Sequence, residues 1–275
     1  MSIPAERTDS SARTANAATE TLVKRERDGR GVVTLTLNRP QAYNALSEAL
    51  LTALQRELEA LETDAGARVL VLAGAGKAFC AGHDLREMRA KPSLEYYQRL
   101  FTQCTTVMLT LRRLPIPVIA RVHGIATAAG CQLVAQCDLA VASSDARFAV
   151  SGVNLGLFCS TPGVPLSRNL PLKEAFEMLV TGDFIDAATA RERGLVNRVV
   201  TPEALDGEVE TLVASILRKP RVAIALGKEL FYRQSELGLA SAYEAANRTM
   251  AGNMMEAAAL EGVQAFIEKR PPHWA

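Results

Sequence analysis

Apolar and polar positions divide this chain into two regimes. The run Val32–Leu37 (VVTLTL) reads as a strand, and Asn38-Arg39-Pro40 breaks it. A helix is predicted from Ser47, its N-cap, with Leu50, Leu54, Leu58 and Leu61 as an apolar stripe at spacings of three and four. Residues 68–72 return to a strand, which runs into a small-residue loop over 73–82. Residues 94–112 read as helical, and Pro115 and Pro117 end that element. Val118–Val122 is a short apolar strand, a small-residue segment spans 125–130, and a helix begins near Cys131. Residues 138–142 form another buried strand. From Lys173 onward helical patterns dominate, at about 173–181, 186–193, 202–218, 221–236, 239–250 and 254–268. Alternating strands and helices followed by a helical last third argue an α/β core with a helical extension.

Composition narrows the picture. The 275 residues are 48% hydrophobic and 22% charged, with a formal net charge of +1. That balance gives no electrostatic reason to expect nucleic acid or an anionic membrane as partner, and no apolar run approaches a membrane span. Cys80, Cys104, Cys131, Cys137 and Cys159 are odd in number and form no CxxC pair, so buried thiols in a reducing compartment are expected. Residues 1–20 are small, polar and aperiodic, without the apolar core of a secretory signal. A disordered tail and a cytoplasmic location are the expectation, with mitochondria as the alternative.

Several familiar chemistries are excluded by single residues. Gly74-Ala75-Gly76 follows a strand, but a dinucleotide fingerprint needs glycine where Phe79 stands. A phosphate-binding loop needs glycine at Val71 and a hydroxyl at Ala78. There is no GxSxG elbow and no HExxH, and the histidines are only His83, His123 and His273.

Two small-residue loops carry the remaining signal. Lys77-Ala78-Phe79-Cys80-Ala81-Gly82-His83-Asp84-Leu85 is the first, and His123-Gly124 through Ala129-Gly130-Cys131-Gln132-Leu133 is the second. Each follows a strand and precedes a helix, where backbone N–H groups are free and partial positive charge collects. Two converging N–H donors suit a thioester enolate as it gains charge.

These loops belong to a longer pattern that resembles the crotonase (enoyl-CoA hydratase/isomerase) superfamily over nearly all of residues 20–270. The pattern includes Leu37-Asn38-Arg39-Pro40-Gln41-Ala42-Tyr43-Asn44-Ala45-Leu46, both loops, Cys137-Asp138, Thr181-Gly182, Gly194-Leu195-Val196 and Phe266-Ile267-Glu268-Lys269-Arg270-Pro271. The stretch Gly152-Val153-Asn154-Leu155-Gly156-Leu157-Phe158-Cys159-Ser160-Thr161-Pro162-Gly163-Val164 resembles its enoyl-CoA hydratase domain-containing protein 3 branch.

The resemblance implies an α/β crotonase fold: a repeated ββα spiral core over 21–200 holding a CoA-thioester site, and a helical region over 201–275 for trimerisation and CoA capping. It implies an oxyanion hole from the backbone N–H groups of His83 and Ala129. Ala81, Asp84 and Leu85 fall where the family lines the pantetheine and adenine pocket, and Gln41 and Ala42 where it meets the nucleotide. Phe266 and Lys269 fall where the last helix reaches a neighbouring subunit's CoA. The implied ligand is an acyl-CoA of fatty-acid type, with coenzyme A as part of the substrate, no permanently bound cofactor and no metal. The implied assembly is a homotrimer or dimer of trimers. One branch of the superfamily binds RNA through lysines on its first long helix, but Arg56 is the only basic residue here.

The departures are at the two catalytic glutamates, whose positions hold Gln132 and Gly152. A glutamine has no proton to exchange, and glycine has no side chain, so ordinary hydration is not expected. Three substitutes are expected to compete: the His83 imidazole, an exogenous anion in the space left at Gly152, as bicarbonate serves naphthoate synthases of the superfamily, and the Cys159 thiol. That space is alternatively expected to admit a bulkier or branched acyl group. Asp138 is structural in the family pattern. The alternative to an enzyme is a non-catalytic acyl-CoA binder.

Overall fold

The computed structural model describes residues 21–274. The N-terminal tail expected over 1–20 lies outside the described residues.

The chain opens with β1 (Val23–Arg27) and β2 (Val32–Leu37), an antiparallel pair in which Val23 faces Leu37. Helix α1 (Glu48–Glu62) follows, capped by Ser47, whose hydroxyl accepts from the Leu50 N–H. Its Leu50, Leu54, Leu58 and Leu61 are all buried, as the stripe requires, and Leu51 joins them.

A repeating unit then winds the core. Strand β3 (Val69–Gly74) is followed by the short β4 (Ala78–Cys80) and by helices α2 (Leu85–Ala90) and α3 (Leu94–Arg113). Strand β5 (Val118–Val122) is followed by β6 (Ile125–Thr127) and α4 (Ala129–Gln136). Strand β7 (Leu139–Ser143) is followed by β8 (Arg147–Ala149), then α5 (Ser160–Asn169) and α6 (Leu172–Thr181). The first strand of each unit joins a large sheet and the second joins a small one. Strand β9 (Ile185–Asp186), helix α7 (Ala187–Glu192) and strand β10 (Arg198–Val200) close the core. The large sheet runs β1-β2-β3-β5-β7-β10 and the small one β4-β6-β8-β9. The repeated ββα spiral implied by the resemblance is therefore present.

Three boundaries differ from the sequence reading. Strands β4 and β6 lie inside the two segments read as small-residue loops, and α4 starts at Ala129 rather than near Cys131. Helix α5 was not expected, because Pro162, Gly163 and Pro165 punctuate it. Pro162 sits in its first turn, where a missing N–H costs nothing.

The last helices are α8 (Leu205–Leu217), α9 (Arg221–Gln234), α10 (Leu239–Met254) and α11 (Ala257–Ile267). Helix α8 belongs to the core: Leu205, Val209 and Val213 pack on Val69, Val71, Ile119 and Val141 of the outer sheet face. Among the described residues no helix is long and apolar enough to cross a membrane.

Candidate active site

The two loops after β4 and β6 meet at one place. In the first, the Leu46 N–H donates to the Gly82 carbonyl at 2.7 Å, and the Asp84 N–H donates to the Leu46 carbonyl at 3.2 Å. This bridge occupies the residues either side of His83 and leaves the His83 N–H without an acceptor among the described residues. Gly82 has φ +90°, and a β-carbon there would stand 2.9 Å from the Ala128 β-carbon and 3.3 Å from the Ala129 nitrogen. Glycine is thus what lets the loops abut.

Two side chains brace the first loop. Asn44, fully buried at φ 56°, places Nδ2 at 2.8 Å from the carbonyls of Ala75 and Ala78 and 3.1 Å from that of Phe79. Its Oδ1 accepts the Arg39 N–H at 2.9 Å. The Arg39 guanidinium donates to the Ala45 carbonyl and, at 3.0 Å, to Asp84. Asp84 in turn caps α2 by accepting from the Arg86 and Glu87 N–H groups. Burial opposes its ionisation, but the Arg39 hydrogen bond and those two N–H groups outweigh it and hold the carboxyl below the usual carboxylate range. Asp84 therefore positions the loop that was expected to line a ligand pocket. Arg39 and Asn44 lay within the quoted family pattern but were given no role; only their contacts 31 to 45 residues away reveal one.

In the second loop, Ala128 carries the unusual backbone, φ 50° and ψ −120°, held by its N–H donating to the Ala149 carbonyl at 3.0 Å. Ala129 is the first residue of α4, in a helical conformation natural to an L-residue, and its N–H also lacks an acceptor among the described residues. The strain falls at Ala128, one residue before the unpartnered Ala129 N–H.

A cavity of about 300 Å³ opens beside these two N–H groups, lined by Ala81, His83, Leu85, Ala129 and Gly152 among the expected site residues. Apolar residues of α2, α3 and the 155–158 loop complete it, together with Ala128, Cys159, Pro162 and the hydroxyl-bearing Ser151, Ser160 and Thr161. The His83 ring packs edge-on to Phe101 at 5.4 Å, and its Nε2 is buried without a partner. Burial pushes this imidazole down to about 4, so it is neutral near pH 7.

The glutamate positions behave differently from expectation. Gln132 is buried, with Oε1 unpartnered, and does not line the cavity. At Gly152, a β-carbon would collide with the Leu157 carbonyl and come 2.7 Å from Cys159 Sγ. The direction a side chain would take there is closed by the chain's own return through Leu157 and Cys159, although Gly152 itself still borders the cavity. The Gly152 N–H donates to Cys159 Sγ at 3.3 Å. Burial raises the Cys159 thiol, against the smaller opposing effect of that N–H.

The other expected contacts lie apart from the cavity wall. Gln41 and Ala42 form a short 3₁₀ turn, Pro40–Ala42, and Gln41 borders a separate open depression with Lys24 and Arg25. Phe266 is 84% exposed near the end of α11, and Lys269 follows that helix at φ 54°. Asp138 is engaged elsewhere, with Lys228 and Tyr232. A further open groove between β2, β3 and α8 has Arg30 paired with Glu210 and Arg121 with Asp206.

Comparison with known proteins identifies the family. The enoyl-CoA hydratase domain-containing protein 3, mitochondrial, of Xenopus laevis is 44% identical over 89% of this chain and 83% of its own. A crystal structure of enoyl-CoA hydratase from Mycobacterium smegmatis superimposes with a TM-score of 0.92 at 67% identity, covering 93% of this chain and 99% of that one. The crystal structure of human enoyl Coenzyme A hydratase domain-containing protein 3 gives 0.89 at 40% identity, covering 92% and 100%. The family described as enoyl-CoA hydratase/isomerase matches residues 27–275, and the chain belongs to it.

Proposed function

We propose that the chain binds an acyl-CoA thioester with its carbonyl oxygen between the N–H groups of His83 and Ala129, where developing enolate charge is stabilised. The observation that carries this reading is the pair of unpartnered N–H groups flanking one apolar cavity. Coenzyme A enters only as part of the substrate, and no resident cofactor or metal is needed. Gln41 and Ala42 would meet the nucleotide, Ala81 and Leu85 the pantetheine. Phe266 and Lys269 would reach a neighbouring subunit's CoA in a homotrimer or dimer of trimers. The mitochondrial names of the domain-containing protein 3 relatives support the mitochondrial alternative over a cytoplasmic location.

Ordinary hydration is not part of the proposal. No aspartate or glutamate lines the cavity, and its imidazole is neutral with a buried Nε2. Positioned acid–base groups contribute about 10²–10⁴-fold each, so losing both leaves polarisation without proton transfer. The closure at Gly152 favours a second reading, a non-catalytic acyl-CoA binder.

Loss of the conjugated thioester absorbance of crotonyl-CoA tests the first part, and calorimetric titration tests the second. The expected outcome is a butyryl-CoA complex tighter than that of free CoA, with hydration far below the ~1–10³ s⁻¹ of ordinary enzymes. Turnover in that range would show that another group supplies the proton.

A further inference from the structure

Resting on the reading above, we infer that Cys159 is a covalent acceptor for α,β-unsaturated acyl-CoA thioesters, its sulfur adding to C3 to form a thioether. Three features meet at this thiol. It lines the same cavity as the two unpartnered N–H groups. Its Sγ stands 2.7 Å from the point where a side chain at position 152 would begin, so sulfur takes the place of that side chain. Cys159 is also the N-cap of α5, a helix of 10 residues, and the Gly152 N–H donates to its Sγ at 3.3 Å. A helix N-terminus and an N–H donor both favour a thiolate, against the burial that disfavours it.

The rest of the wall leaves this sulfur without a rival. It holds no aspartate or glutamate to activate water. Ser151, Ser160 and Thr161 offer hydroxyls, which attack only with an adjacent base, and Ser151 is tied to the Thr127 hydroxyl at 3.0 Å. Cysteine is the strongest nucleophile of these near neutral pH. Leu155, Leu157 and Phe158 are exposed, so the mouth is open to water and to the pantetheine arm. Only the thioester and its first carbons need reach Cys159.

With the carbonyl oxygen on the His83 and Ala129 N–H groups, the conjugated double bond is polarised and C3 is electron-poor. The thiol gives its proton to water. A bond forms between Sγ and C3, the C2–C3 π bond breaks, and its electron pair moves onto the carbonyl oxygen as an enolate. C2 then takes a proton from water and the carbonyl re-forms. The sum is addition of S–H across the double bond, with no oxidant and no leaving group, and the thioester to CoA is kept. A saturated acyl-CoA occupies the same place and has no bond to react.

The experiment incubates the full chain with crotonyl-CoA or with butyryl-CoA, quenches in acid, and reads intact mass and a peptide map, with calorimetry of butyryl-CoA and free CoA beside it. Expected is the added mass of one whole crotonyl-CoA per chain, carried by Cys159, with the conjugated absorbance falling by one equivalent and then stopping. Butyryl-CoA should add no mass, and at about ten times its dissociation constant it should slow the labelling about tenfold. Cys159→Ser should lose the adduct; because the map is made on the unaltered chain, the assignment does not depend on how that variant folds. No adduct, an adduct on another cysteine, or labelling that butyryl-CoA does not slow would each overturn the inference, while tighter binding of butyryl-CoA than of free CoA would keep the reading above in place. Failure of butyryl-CoA to bind better than free CoA would overturn that reading as well.

Discussion

The backbone N–H of His83 is the donor in the proposed site, and its imidazole has a separate effect that pH can expose. Its folded pKa is depressed by burial from 6.5 to about 4. Between these values the unfolded chain binds a proton that the folded chain refuses, so stability falls as pH drops through this window. The loss reaches up to about 3 kcal/mol at its lower end. Urea unfolding from pH 7 to pH 4 should show this slope, and His83→Leu should flatten it while keeping the N–H. Ala128 offers a second handle. A φ of 50° with ψ −120° on alanine costs on the order of 1–3 kcal/mol, so Ala128→Gly is expected to raise stability by about 1 kcal/mol in thermal melts, after the added chain entropy of glycine. The small residues between strand and helix marked the two loops in the sequence, and the resemblance put the N–H donors at His83 and Ala129 within them. The closure at Gly152 was not legible. It depends on a loop that leaves and returns before Cys159, and a residue's emptiness in sequence says nothing about what its neighbours place there.

Among the elements, those with a readable period or an unbroken apolar run, such as β3, β5 and β7, were placed, and the shortest were lost. Helix α1 repeats its leucines over four turns; β4, β6 and β8 have three residues each, too few for alternation to show. Helix α9 illustrates a further limit. Its existence was legible, but its attachment was not. Among the described residues of α9, α10 and α11, only Ala245 and Ala265 are buried, so apolar packing alone holds this region weakly. The anchor is Lys228 of α9, which donates to the carbonyls of Leu111 and Ile116 at 3.0 Å and to Asp138 at 2.7 Å, using all three protons. Tyr232 donates to the other Asp138 oxygen at 2.6 Å. Burial lowers the Lys228 pKa, and Asp138 opposes that. Lys228→Met would leave a mostly buried carboxylate without its cation, held only by the Tyr232 hydroxyl and the Val118 N–H, and is expected to cost about 3–5 kcal/mol, read as a lower urea midpoint. A loss below about 1 kcal/mol would mean that α9 is held by something else.

At the scale of the whole molecule, the helical C-terminal region presents Phe231, Tyr243, Met250, Met255 and Phe266, each at least 65% exposed. These side chains stand on three successive helices, where a second copy of the chain could cover them. Light scattering at micromolar concentration is expected to give the mass of three or six chains; a monomer would remove the proposed neighbour's contribution to CoA binding. All five cysteines, by contrast, are buried and unbridged, and they lie in β4, in α3, in α4, at the C-cap of α4 and at the N-cap of α5. Burial raises the thiols of Cys80, Cys104 and Cys131 to about 12, so none of these three is an active nucleophile while the fold is shut. Their alkylation must wait for a local or global opening. The molecule thus carries its own clocks: the rate at which each thiol is labelled reports how often its part of the spiral breathes, and a ligand in the cavity should slow the one at Cys159 before the others.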